Sequence, residues 1–385
     1  MSRRICVFTG SRAEYGLLKP LLDEIKRDQF LDLKLLVTGA HLSREFGLTY
    51  ESIEDDGFTC DEKVEMILSS DTPVAICKSM GLGMIGISEA LMRIKPDLLV
   101  ILGDRFEIMI AAATALVCRV PVAHIQGGEL TLGAIDDQFR HAITKMSLLH
   151  FVATDEYRDR VVQLGEDPSR VFNYGALNVD AMKKIEPLSR KQIEKKLKIS
   201  LDPKSLLVTF HPVTLENNTA GEQFSQLIEA IHSFDRLQVI FTKTNADTGG
   251  RIINDLIDKY VKENPQKAVA FTSLGQLLYI SAIFHIDAVA GNSSSGVIET
   301  GTFKLPTVNI GDREKGRILP DNVIDCDQSV ESIRIAIETA LSKEFKDSLR
   351  DMVNPYEMDN TAKNITTKLR DYPLPSTTKK EFHDM

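Results

Sequence analysis

The chain contains no apolar run that approaches the ~18 residues a membrane-spanning helix requires. Nor does it carry a surplus of basic charge. Its 46 lysines and arginines stand against 55 aspartates and glutamates, for a net charge of −9, which excludes a general nucleic-acid binder with a basic face. Any anionic ligand must be held by local arginines and by helix starts. The five cysteines, Cys6, Cys60, Cys77, Cys118 and Cys326, are odd in number and form no CxxC pair. Cys6 and Cys118 sit in apolar runs, as reduced core thiols of a cytoplasmic protein would. There is no tandem repeat, no low-complexity block, no GxGxxG and no Walker sequence. The opening SRRICVF has paired arginines, but only four apolar residues follow before Thr9-Gly10, so an export signal is not expected.

What is present is strand–helix alternation over 385 residues, too long for one ordinary core, with 43% hydrophobic and 26% charged residues. Ile5–Phe8 reads as a short strand, followed by the glycine turn Thr9–Tyr15 and a helix to about Lys26. Leu33–Val37 is the next strand and ends at His41, which is either a ligand contact or a hydrogen-bonded structural histidine. Val74–Ile94 reads as a long helix in which Gly81, Gly83 and Gly86 permit close packing. Strands follow at Leu98–Leu102, Val120–Ile125, Leu149–Ala153 and Val171–Tyr174. The Lys-rich stretch Gly175–Asp202 reads as a helical domain connection with a solvated face. Strands then recur at Leu206–Phe210, Leu237–Phe241, Ala268–Phe271, Ile286–Ala290 and Pro306–Ile310. This pattern predicts an α/β protein with two doubly wound parallel sheets and a ligand cleft between them. A last helix is expected at about Thr361–Arg370, then a frayed polar end.

Acids gather at the strand ends of the first half. In an open parallel sheet the ligand crevice lies at the carboxyl ends of the strands. Asp104 follows the strand Leu98–Leu102, Glu129 follows the second strand through Gln126-Gly127-Gly128, and Asp136-Asp137 open the next helix. Taken singly, Asp104 and Asp136 read equally well as ordinary N-terminal helix acids. Three at consecutive junctions suggest acid–base chemistry. In the second half Gly291–Gly296, GNSSSG, offers hydroxyls and free N–H groups at a helix start, an arrangement that receives a diphosphate, or else a ligand-free serine cap. Glu299 follows within about a turn and suits ribose hydroxyls. Arg313, Lys315 and Arg317 return positive charge, and His211 ends the strand Leu206–Phe210.

Together the segments TGSRAEYG (9–16), GDRFE (103–107), HIQGGE (124–129), IDDQFRHAITK (135–145), HPVT (211–214), GNSSSGVIE (291–299) and NIGDREKGR (309–317) resemble the UDP-N-acetylglucosamine 2-epimerase family. GGE and IDDxxRHAITK resemble its hydrolysing branch, which forms N-acetylmannosamine for sialic acid synthesis. The segment NPYEMDNTA (354–362) departs from the family's NPYGDG-like sequence by lacking the second glycine. The resemblance implies two facing Rossmann-like domains like those of glycosyltransferases of the B type. The expected division is 1–175 for the domain with the acids and 176–356 for the nucleotide domain, with a helix at about 357–372 packing back on the first. It implies Asp104, Glu129, Asp136 and His211 as catalytic residues. It also implies Arg12, His41, Arg105, Arg140, Asn292, Ser293, Ser294, Ser295, Glu299 and Arg313 as contacts to the UDP-sugar. No metal and no cofactor are implied, and no nucleic-acid or membrane partner. A homo-oligomer, dimer or tetramer, is.

In UDP-α-N-acetylglucosamine the C2 hydrogen and the C1–O bond are both axial and on opposite faces. A base can take the proton as UDP leaves, giving 2-acetamidoglucal, and water then adds at C1 while a proton arrives at C2. Two acid–base groups on different sides of the sugar are needed, and a diphosphate held by arginines leaves readily. The related branch acting on a UDP- or GDP-linked 2,4-diacetamido-6-deoxy sugar, of legionaminic acid synthesis, satisfies the same residues. A retaining glycosyltransferase or a non-catalytic nucleotide-sugar sensor remain as readings of another class; neither requires the acid triad.

Overall fold

The computed structural model describes residues 2–70, 72–132, 134–213, 219–244, 250–375 and 377–384. The chain forms two compact units. The first comprises 1–129, 136–181 and 358–385, and the second 130–135 and 182–357. The stretch 176–181 thus counts with the first unit, and so does the carboxyl-terminal helix. The six residues between Glu129 and Asp136, which nothing in the sequence set apart, count with the second.

The first unit is built on seven parallel strands. They are β1 (Arg3–Thr9), β2 (Leu31–Thr38), β3 (Glu62–Val64), β4 (Leu98–Leu102), β5 (Val122–Ile125), β6 (Leu149–Val152) and β7 (Val171–Asn173), in the spatial order β3-β2-β1-β4-β5-β6-β7. The order reverses between β1 and β4, where Ile5 pairs Leu98 and Val7 pairs Val100. A reversal of this kind opens a crevice at the carboxyl ends of the two strands. All five residues of β4 are buried, because helices cover both sheet faces and leave no polar side to alternate with. Ser11 caps the helix Arg12–Arg27, which turns Tyr15, Leu18, Leu21, Leu22 and Ile25 inward. Each such side chain contributes roughly 1.5–3 kcal/mol when fully buried.

The helix Pro73–Ile94 is long and apolar enough to cross a membrane by length and composition, but it lies against this sheet as part of the unit. Gly83 and Gly86 are its points of close approach: a Cβ there would lie 2.3 Å from Ile110 Cδ1 and 2.5 Å from Val64 Cγ1, whereas Gly81 has open space. The helix Thr361–Asp371 packs on Arg12–Arg27, with Arg370 donating to Asp28 at 2.9 Å and Arg3 to the Leu369 carbonyl at 2.6 Å.

The polar end expected to fray is instead docked. Lys380 Nζ donates to the buried Glu166 carboxylate at 2.7 and 2.8 Å and to the carbonyls of Lys145 and Ser147. His383 N donates to the Gly165 carbonyl at 3.0 Å.

The second unit has six parallel strands: β8 (Ser205–Thr209), β9 (Gln238–Thr242), β10 (Ala268–Phe271), β11 (Ala288–Gly291), β12 (Thr307–Ile310) and β13 (Val323–Cys326), ordered β10-β9-β8-β11-β12-β13. Here the reversal falls between β8 and β11. Phe210, Phe224, Phe241 and Tyr260 follow one another through its core at centroid spacings of 5.7–6.3 Å, the first pair tilted and the other two edge-to-face. The Lys-rich connection contains the helix Arg190–Leu197, which closes a capping box between Ser189 and Gln192. It buries Ile193 and Leu197 and leaves its lysines in water. All five cysteines are free thiols.

Candidate functional site

In the first unit the site is assembled at the ends of β4 and β5. Gly103, at φ +83°, turns the chain out of β4 and sets Asp104 and Arg105 ahead of the helix Phe106–Val117. His124, on β5 and wholly buried, reaches across to this turn. Its Nε2 lies 2.8 Å from the Gly103 carbonyl and its Nδ1 3.2 Å from Thr144 Oγ1. A carbonyl only accepts, so Nε2 carries the proton. Burial holds the ring at a pKa of about 3, hence neutral. After β5, Gly128 at φ +81° passes under the carbonyl of Tyr157, where a Cβ would come within 2.3 Å. Only glycine fits there, and the turn delivers Glu129, 2% exposed.

Arg140, on the helix Asp136–Met146, ties these pieces together. It is 1% exposed; Nη1 donates to the Glu129 carbonyl at 2.7 Å and to Asp137 Oδ1 at 3.3 Å, and Nη2 pairs with the Asp104 carboxylate. Arg140 is expected as a ligand contact; in the structure these Nη1 and Nη2 donors face the acids. Asp136 opens the same helix and is half-buried. The structure therefore brings Asp104, Arg140 and the Glu129 backbone into one hydrogen-bonded group, with Asp136 on the helix that supplies the arginine.

For His41, expected either as a ligand contact or as a structural histidine, the structure favours the second. It is wholly buried, with Nε2 3.0 Å from Thr9 Oγ1 and Nδ1 2.8 Å from Thr49 Oγ1. Burial lowers it to a pKa of about 4, so it is a neutral histidine clasping the ends of β1 and β2. Arg12 is exposed at the first residue of its helix, and Arg105 Nε lies 3.4 Å from Glu107 Oε2.

In the second unit His211 follows β8 and is clasped by Asn292. The His211 N–H donates to Asn292 Oδ1 at 2.7 Å, and Asn292 Nδ2 donates to the His211 carbonyl at 2.8 Å. The His211 ring meets Thr244 Oγ1 through Nδ1 at 3.0 Å. Gly291, at φ +142°, makes this possible, since a Cβ would lie 1.8 Å from the Thr209 carbonyl oxygen. Ser293 stands at the N-cap position of the helix Ser294–Ile298, with its hydroxyl 3.1 Å from that of Ser295. That helix is only five residues long and continues as a 3₁₀ turn, so its dipole is smaller than the sequence suggested.

Thr209, Gly291, Ser293, Gly296, Thr307 and Asn309 line a small pocket at the ends of β8, β11 and β12. Glu299 is 8% exposed, and burial together with the Glu299 carboxylate beside it shifts the Tyr279 hydroxyl well upward, against the opposing hydrogen bond of Ser295. Arg313 Nη1 donates to the Asn292 carbonyl at 2.9 Å and to Glu314 Oε1 at 2.5 Å, and the other oxygen of this buried acid pairs with Arg317 at 2.6 Å. Residues 130–135 are held within this unit by the same loop: Leu132 N donates to the Lys315 carbonyl and Arg317 Nη2 to Thr131 Oγ1. Thr214 of the HPVT segment lies outside the described residues.

Sequence reasoning passed over four residues that shape the site: Glu14, Glu107, His124 and Glu314. Only Glu14 carried a local signal, the S-x-x-E spacing from Ser11 that marks a helix start. Among the described residues no group of three or more His, Cys, Asp or Glu side chains is arranged to hold a metal ion.

A family model described as UDP-N-acetylglucosamine 2-epimerase matches residues 23–370. The chain is 43% identical to a Campylobacter jejuni protein named GDP/UDP-N,N'-diacetylbacillosamine 2-epimerase (hydrolyzing), over 89% of either chain. It is 35% identical to Escherichia coli polysialic acid biosynthesis protein P7, over 100% of this chain and 98% of that one. Among solved structures it is similar to the Neisseria meningitidis UDP-GlcNAc 2-epimerase bound to UDP-GlcNAc. That match has a TM-score of 0.80 and 17% identity, over 95% of this chain and 99% of that one. At such identity the likeness concerns the fold: two parallel-sheet α/β domains of the glycosyltransferase-B-like class.

Proposed function

The chain belongs to the UDP-N-acetylglucosamine 2-epimerase family, and from that premise we propose that it is a hydrolysing 2-epimerase. It releases a nucleoside diphosphate and a free sugar inverted at C2. The observation that carries this reading is the buried Arg140, which holds the Asp104 carboxylate and the Glu129 backbone on one guanidinium beside the helix start of Asp136. Three acids, two after strand ends and one at the following helix start, supply more proton-transfer groups than binding alone needs.

In this reading one acid takes the C2 proton while the leaving diphosphate is stabilised by Arg313 and the Ser293–Ser295 turn, with Glu299 on the ribose. His211 takes part in the acid–base steps, and Arg12 and Arg105 contact the substrate. Hydration of the glycal then uses the remaining acids. Two substrates compete. The name of the 43%-identical relative favours a UDP- or GDP-linked N,N'-diacetylbacillosamine; the 35%-identical relative is named for polysialic acid biosynthesis, which accords with UDP-N-acetylglucosamine as substrate and N-acetylmannosamine as product. We place the first ahead on identity. Separate incubation with each nucleotide sugar, and identification of both products, tests the reading. No turnover with binding intact would point to a sensor, and product only in the presence of an acceptor to a glycosyltransferase.

The reading includes a cytoplasmic location and a homo-oligomer, dimer or tetramer. Leu82, Ile85 and Met92 are exposed on the helix Pro73–Ile94. An antiparallel pairing of two copies that sets Leu82 against Ile85 also sets Lys78 against Glu89. Light scattering checks this: Lys78→Glu should dissociate the assembly, and adding Glu89→Lys should restore it.

A further inference from the structure

The carboxyl edge of the first unit holds two buried carboxyl groups to which the chemistry above gives no work. Glu14, in the first turn of the helix Arg12–Arg27, is 6% exposed; Glu107, in the first turn of Phe106–Val117, is 2% exposed. Gly10 lies between them. Its N–H donates to Glu14 Oε2 at 2.8 Å, and a Cβ on it would come within 3.1 Å of Glu107 Cβ and 3.6 Å of Glu14 Oε2. Gly39 closes the other side, where a Cβ would lie 2.6 Å from the Gly10 carbonyl oxygen and 3.3 Å from Glu107 Oε1. The ends of β1 and β2 thus leave room for the two carboxyls and for no further side chain. Glu14 Oε1 is buried with no hydrogen-bond partner, while Glu107 Oε2 faces Arg105 Nε at 3.4 Å.

Two neighbouring carboxylates removed from water do not both ionise. The groups acting on Glu14 are Glu107, Arg105, Asp104 and the Gly10 N–H. The guanidinium lies beside Glu107, so negative charge is favoured there and the proton on Glu14. We propose that Glu14 is a neutral, proton-carrying acid in the folded protein at neutral pH, and that Arg105, beside Glu107, is thereby held next to Asp104. Burial first, and the Glu107 charge second, push Glu14 up to about 8, so the proton is retained at neutral pH and leaves just above it. Its loss places a second charge beside Gly10 and draws Arg105 from its place. The ordinary alternative is a helix-capping glutamate, ionised at neutral pH and stabilising at every pH above the carboxylate range.

The protonation of Glu14 stands independently of the reaction; only the consequence for Arg105 rests on the function proposed above. With Glu14 raised, the native state binds more protons than the unfolded chain between about pH 4.3 and about 8, so stability falls as pH rises through that window. Glu14→Gln keeps the acceptor for Gly10 and removes the slope. The melting temperature of the variant minus that of the wild type should therefore grow from pH 5 to pH 8 and level off above. A difference that stays constant or shrinks overturns the proposal. On the wild type itself, infrared spectra should show a protonated carboxyl band at pH 7 that vanishes above pH 8, and its absence at pH 7 also overturns it. Where turnover is measurable, Glu107→Gln should lower kcat/KM at least ~fivefold more than Glu14→Gln at pH 7. Equal losses would remove the positioning of Arg105 and leave the protonation of Glu14 to the other two measurements.

Discussion

His124 donates its Nε2 proton to the carbonyl of Gly103 at 2.8 Å, and this bond from β5 fixes the turn that carries Asp104 out of β4. The ring is neutral because burial holds its pKa at about 3, and His41, buried between Thr9 and Thr49, is held at about 4. Both values lie below that of an unfolded histidine, about 6.5. The unfolded chain therefore binds more protons in that window, so stability is present above about pH 6.5 and is lost as pH falls toward 4 and 3.

The first prediction follows from that sign. In Glu14→Gln, which lacks the opposing slope of the raised carboxyl, thermal unfolding should shift to lower temperature between pH 7 and pH 5, and adding His124→Asn should flatten that shift while lowering the midpoint at pH 7. Scanning calorimetry across the window measures both. An acid shift of undiminished size in the double variant would mean that the ring is not what acid attacks.

Arg140 supplies the second prediction. Breaking a buried, hydrogen-bonded charge pair costs about 3–5 kcal/mol, because the partner is left uncompensated. Arg140→Ala should accordingly unfold at much lower denaturant. Arg140→Lys is the more informative variant, since it keeps the charge and loses the fork that spans Asp104 and the Glu129 carbonyl. It should lower kcat by on the order of tenfold or more with KM little changed. A raised KM with unchanged kcat would return Arg140 to the ligand-contact role.

The contrast between Arg140 and the acids shows where sequence reading stopped. The placement of Asp104, Glu129 and Asp136 was legible because three acids fall at consecutive strand-to-helix junctions, although singly Asp104 and Asp136 read as ordinary helix-start acids. The inward aim of Arg140 and His41 was not, since burial is decided by helices and strands distant in sequence. Likewise the central strands announce themselves by unbroken apolar runs such as LLVIL in β4, while the edge strands β3, EKV, and β13, VIDC, are short and mixed. The docked carboxyl-terminal tail lay out of reach for a related reason. Its anchor Lys380 is 214 residues from its partner Glu166, and an isolated lysine in a polar tail carries no periodicity.

That tail gives the third prediction. Burial alone would raise the Glu166 carboxyl, but His150, Lys145 and Lys380 outweigh it and hold it at about 2. A pKa depressed in this way contributes stability above the ordinary carboxylate range that is lost as pH falls through about 2. Lys380→Ala, or truncation after Pro375, should destabilise by about 1–3 kcal/mol at pH 7, the cost of leaving a buried charge short of a donor. Glu166→Gln combined with Lys380→Ala should cost less than the two singles summed. Urea titration of the four proteins decides it, and additive losses would show that the tail contributes packing alone.

The last prediction concerns the order of bond changes on the sugar. If the C2 proton is removed as the diphosphate leaves, the intermediate glycal has no hydrogen at C2. Hydration must then deliver one, from an acid that exchanges with solvent. Reaction in D₂O should therefore place deuterium at C2 of the released sugar, whichever of the two nucleotide sugars is the substrate, and the sugar should have the inverted configuration. Simple glycosidic hydrolysis gives the opposite result: retained configuration and no label at C2. An epimerase that does not hydrolyse gives labelled nucleotide sugar and no free sugar. Asp104→Asn, Glu129→Gln and Asp136→Asn, each about 10²-fold slower or more, should separate the steps. A variant that takes the proton but cannot hydrate should accumulate glycal and nucleoside diphosphate, because elimination releases both before water adds. One that cannot take the proton should yield neither. Mass spectrometry of the released sugar, run on the wild type and the three variants, therefore assigns the first base as well as the class of reaction.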